Sequence, residues 1–126
     1  MQEAVVRTAR LDLHPSWTAG ELGRRVDGLL LRLADRFSIK GIVPGHIKAL
    51  VSEGERYAVF SCTRPGSVSM KPSAQWAETV FQHPQINLNV VLVNDWPVAE
   101  AERQVDEIVA QLFPGSHFES HCHHDH

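Results

Sequence analysis

Thr18-Ala19-Gly20-Glu21-Leu22-Gly23-Arg24-Arg25-Val26-Asp27-Gly28-Leu29-Leu30-Leu31-Arg32-Leu33-Ala34-Asp35-Arg36-Phe37 is the stretch on which the fold turns. Thr18 and Glu21 have capping-box spacing, in which each side chain satisfies a free amide of a first helical turn. Leu22, Val26, Leu29, Leu30, Leu33 and Phe37 then recur at helical intervals and form one apolar stripe. Arg24, Arg25, Asp27, Arg32 and Asp35 fall largely off it. Gly20, Gly23 and Gly28 each cost an isolated helix about 1 kcal/mol at interior positions. A helix so weakened holds only by docking on a sheet, with Gly28 expected to permit close approach to a strand.

The flanks supply that sheet. Residues 4–13 alternate as a half-buried strand, with Val5, Arg7, Ala9, Leu11 and Leu13 on one side, until His14-Pro15 stops the pattern. Arg7 is the misfit on the more apolar side. Residues 41–62 read as a hairpin with a bend or bulge at Pro44-Gly45. A three-residue turn of Glu53, Gly54 and Glu55 would set Ser52 opposite Arg56 and His46 opposite Cys62. Arg64-Pro65-Gly66-Ser67 is the next turn, followed by a short strand from Val68 to Pro72. Residues 73–81 suit either a short helix carrying Trp76 and Val80 or a strand at Thr79-Val80-Phe81. Ile86, Leu88, Val90 and Leu92 alternate as a strand. A last helix, capped by Asp95 with Pro97 in its first turn, carries Val98, Ala101, Val105, Ile108, Val109 and Leu112. Glu100, Glu102, Asp106 and Glu107 are expected to face solvent.

This order predicts an α+β fold. Two helices would pack on one face of a mostly antiparallel sheet of about five strands, in a two-layer domain over residues 1–113. Residues 114–126 are expected to form a flexible His-rich tail. At 126 residues the chain suits one domain with one core. No apolar run approaches the length of a membrane span, and no positive-then-apolar leader opens the sequence, so a cytoplasmic location is expected. Residues 24–71 hold nine basic and four acidic side chains, a net of +5, and the remainder three and eleven, a net of −8. Such division suits self-association as a homo-oligomer. It argues against nucleic acid, because no basic cluster is interleaved with aromatics.

The chemistry concentrates at the end. Five of the eight histidines lie among the last ten residues, with Cys122, Glu119 and Asp125 between them. His117, His121, Cys122, His123, His124 and His126 are the candidate metal ligands. Neutral imidazole and thiolate suit Ni, Zn, Cu or Co rather than Mg or Ca. Were this segment helical, His117, His121 and His124 would share a face. In composition the tail resembles the His-rich termini of nickel and cobalt delivery factors, a likeness confined to these ten residues. It implies a cytoplasmic protein that stores, buffers or delivers a transition metal, with an acceptor protein as a partner.

The alternative is a small-molecule-binding or enzymatic domain with His46 and Cys62 at the 41–62 hairpin and an incidental tail, or a purely structural oligomer. The sequence favours a non-enzyme. Gly41–Gly45 lacks P-loop spacing, and no Ser-His-Asp order with a nucleophile elbow occurs. His14 and His83, each before a proline at a strand end, would meet at one rim, beside Trp17 or Trp96, if those ends adjoin.

Overall fold

A computed structural model describes residues 3–93 and 96–120. The elements run β1 (Glu3–Arg10), β2 (Trp17–Thr18), α1 (Ala19–Phe37), β3 (Gly45–Glu53), β4 (Arg56–Arg64), β5 (Ser67–Pro72), a 3-10 turn (Trp76–Glu78), β6 (Val80–Phe81), β7 (Gln85–Leu92), α2 (Val98–Leu112) and β8 (Glu119–Ser120). Six strands form one sheet in the order β5-β4-β3-β7-β1-β8, and every pairing in it is antiparallel. β2 and β6 make a separate two-stranded ribbon. The α+β class and its two helices are therefore as read from the sequence. The sixth strand is β8, and residues 73–81 resolve into both alternatives in turn, a 3-10 turn and then a strand.

The capping box forms: Glu21 N–H donates to Thr18 Oγ1 at 3.2 Å, and Thr18 N–H to Glu21 Oε1 at 3.0 Å. The apolar stripe of α1 is fully buried, from Leu22 through Leu33 to Phe37. Gly28 lies against α2 instead of a strand, since a β-carbon there would sit 3.3 Å from Leu112 Cδ1. The helices are tied at their rims by Arg32 to Gln111, Arg36 to Gln104, and Arg25 Nη1 to the Leu112 carbonyl at 2.9 Å. α2 starts at Val98 with Pro97 as its N-cap and no side-chain cap bond. Asp95, the expected cap, lies outside the described residues.

In the first turn of α2, Arg103 and Gln104 hydrogen-bond the Glu100 carboxylate and hold it down to about 2. Its contribution to stability is thus present above the ordinary carboxylate range and lost only as pH falls through about 2. An NMR titration should show Glu100 still ionised where an ordinary glutamate is half protonated.

Two α2 carboxylates that still reach solvent also bind a side chain of β1. Arg7, only 5% exposed, donates Nε to Asp106 Oδ1 at 2.8 Å and Nη2 to Glu102 Oε2 at 3.0 Å. The misfit in the first strand is thus the bond that seats α2 on β1.

The hairpin register differs from the expected one. Glu53 opposes Arg56 and Ser52 opposes Tyr57, so the loop is the two-residue Gly54-Glu55. Gly54 has φ of +62°, and of the two only it is left-handed. A glycine in the first position of a two-residue loop gives the turn whose twist matches that of the strands. The one-residue shift sets Ile47, not His46, opposite Cys62.

Past Leu112 the chain runs on across the expected domain boundary at Phe113. Phe118 packs against Phe113 with ring centres 5.9 Å apart, and β8 pairs with β1 as Thr8↔Glu119 and Arg7↔Ser120. A chain ended after Ser120 should melt within about 0.5 kcal/mol of the full protein. One ended after Pro114, stripped of Phe118 and β8, should lose about 1–2 kcal/mol in urea titration.

Candidate metal-binding end and the histidine rim

Of the proposed metal ligands the structure describes His117, which is exposed and lies 3.9 Å by Nε2 from Glu119 Oε1. It precedes β8, and the described residues from His117 to Ser120 are not helical. His121, Cys122, His123, His124 and His126 lie outside the described residues. Among the described residues no three His, Cys, Asp or Glu side chains are grouped so as to hold a metal ion. The last described residue, Ser120, lies in β8, the strand beside β1 at the edge of the sheet.

His46 and Cys62 are not brought together. Alternate residues of a strand face opposite sides. Cys62 points with Ile47 into the core at 1% exposure, whereas half-buried His46 lies beside Val91 on the face away from the helices. The Cys62 thiol donates to the Arg64 carbonyl at 3.0 Å, and burial raises its pKa. A buried, protonated thiol is a poor nucleophile and a poor ligand. With Cys122 replaced by serine, the native protein should therefore show no fast reaction with a thiol reagent at neutral pH, and one equivalent after unfolding. Fast native labelling would put Cys62 at the surface.

The two His-Pro histidines do meet. Leu11 and Leu13 carry the line of β1 onward, their amides donating to the Pro84 and Gln82 carbonyls, both at 2.8 Å. This holds residues 11–14 beside 82–84. His14 Nε2 lies 2.9 Å and His83 Nε2 3.1 Å from the same Asp12 Oδ1, with all three side chains exposed. Trp17 is the tryptophan near this rim; Trp96 stacks edge-on against Phe37 instead, at 5.1 Å. The sequence offered the paired His-Pro steps as a signal, but Asp12 as the hinge between them had none.

Behind His14 opens a cavity of about 350 Å³, between residues 10–14 on one side and 113–117 on the other. Trp17 and Arg25 close its end, the guanidinium carbon 5.1 Å from the indole centre. Leu11, Leu13 and Phe113 provide buried apolar surface in its wall. No helix among the described residues is long and apolar enough to cross a membrane. The chain matches no known protein family, no curated protein and no solved structure.

Proposed function

We propose that this protein binds a transition metal, one of Ni, Zn, Cu or Co, through His117, His121, Cys122, His123, His124 and His126, for storage, buffering or delivery to an acceptor protein. The observation that carries the reading is the run of five histidines and one cysteine within the last ten residues of the sequence. Imidazole nitrogen and thiolate sulfur are donors that late first-row metals prefer, and the reading needs no catalytic group.

Calorimetric titration with nickel and zinc tests this directly. Replacing His121, His123 and His124 with alanine should remove most of the binding, whereas His46→Ala should leave it unchanged. Capture should collapse as pH falls through about 6.5, where an ordinary imidazole takes up a proton and loses its lone pair. Full binding by the triple variant would end the proposal.

Self-association belongs to the same reading. The helices cover one face of the sheet, and the other presents Leu50 and Tyr57, each more than a third exposed. A second copy of this chain, stacked sheet to sheet, would cover them. Sedimentation should show a dimer that Leu50→Lys dissociates; a parent that stays monomeric at high concentration would exclude it.

A further inference from the structure

The cavity between residues 10–14 and 113–117 is separate from the metal ligands, apart from His117 at its edge. Its chemistry is mixed in a particular way. Leu11, Leu13 and Phe113 make an apolar wall, and Trp17 adds a flat, half-buried ring. Above them the polar groups are chiefly donors.

Arg25 uses Nη1 on the Leu112 carbonyl and one face on Trp17, and its other N–H groups have no protein acceptor among the described residues. The backbone adds a donor through strand geometry. Leu11 and Leu13 point their amides toward residues 82–84, so the amide of Asp12 points the opposite way, toward the 113–117 side. β8 stops at Thr8 on that side, and the Asp12 N–H has no acceptor among the described residues. His14 and His117 line the opening. The one acidic side chain in the lining, Asp12, already has Oδ1 shared between two imidazoles.

Apolar wall, stacked tryptophan and unused donors together define the ligand. We infer that this cavity binds a small organic anion with a flat apolar body, an aromatic carboxylate in the simplest case, its ring against Trp17 and Phe113 and its oxygens on Arg25 and the Asp12 amide. Charge-assisted bonds to a carboxylate supply orientation, and the ring supplies the buried area. The volume of about 350 Å³ leaves ample room for one such ring.

The test uses the full chain, with benzoate and its neutral isostere benzamide as probes, followed by amide and indole N–H chemical shifts. Benzoate should saturate, moving the Asp12 amide and the Trp17 indole signal most, and benzamide should bind at least about tenfold more weakly, for want of charge-assisted bonds. Arg25→Gln should weaken benzoate by about tenfold or more and Arg25→Lys by less, since lysine keeps the charge but not the fork. Arg25 also holds the end of α2, so His14→Gln, at a side chain 81% exposed, gives a second reading; it should weaken benzoate several-fold without changing the melting temperature. Equal binding of benzoate and benzamide would overturn the inference. So would unchanged affinity in both Arg25→Gln and His14→Gln, absence of saturation, or shifts centred on another part of the molecule.

Discussion

Gly45→Ala should destabilise the protein by about 3 kcal/mol or more, a large share of the stability of a marginally stable domain. Gly45 opens β3 with φ of +144°, a conformation open to glycine and strained for alanine. Space is the larger difficulty. A β-carbon there would stand 1.9 Å from the Val91 carbonyl oxygen and 2.8 Å from its carbon, both backbone atoms of the neighbouring β7. The chain cannot back away, because the Pro44 carbonyl accepts from Val93 N–H at 2.6 Å just beside it. Gly54→Ala is the control: φ is +62° there, but nothing lies within 4 Å of the added carbon, so only the backbone term of about 1 kcal/mol applies. Urea unfolding of the two variants should separate them clearly. Equal losses would mean that β3 and β7 do not approach closely at Gly45.

Arg7→Ala should cost about 3 kcal/mol, because it opens space under α2 and strips Glu102 and Asp106 of their shared cation. Hydrogen bonding to Asp106 raises the Arg7 pKa against the opposing effect of burial. A raised basic group contributes fully below its unfolded value and is lost only as pH rises through the folded one. No loss of this contribution through Arg7 itself is therefore expected at neutral pH. Arg7→Met separates charge from volume. An apolar side chain of similar length should recover half or more of the alanine loss, since burying the guanidinium costs desolvation that two partly exposed carboxylates repay poorly. Arg7→Glu, which would place a third carboxylate beside two others, should not fold. Thermal melts of the three variants decide the order; methionine behaving no better than alanine would make the ion pair, not the packing, the tie between α2 and β1.

What was legible in the sequence was periodic. The stripe of α1, its Thr18–Glu21 cap and the alternation of β1 and β7 are local patterns, and each has the structure its spacing demanded. The hairpin register was not, because Glu53-Gly54-Glu55 reads equally as three loop residues or as two with one strand residue; the twist of the strands decides it. That one-residue difference separates His46 from Cys62. Gly28 was rightly marked for close approach, but which element approaches is a matter of tertiary placement. Arg7 looked like a flaw in the strand because its partners lie 95 and 99 residues away. The rim histidines were visible as paired His-Pro steps, yet the cavity behind them is made by the return of residues 113–117, which no local pattern announces.

The order of strands also bears on how the molecule is made. β1 leaves the ribosome first, but its sheet neighbours are β7 and β8, with Glu3 opposite Leu92 and Arg7 opposite Ser120. The β3–β4–β5 meander can close on its own as it emerges, with α1 beside it, while β1 waits for some eighty residues to follow. Closing so long a loop is slow compared with local hairpin formation. Until β7 slots between β3 and β1, the nascent chain therefore exposes the free edge of β3 and both edges of β1, and this interval is when a chaperone, or a second nascent copy, has most to hold.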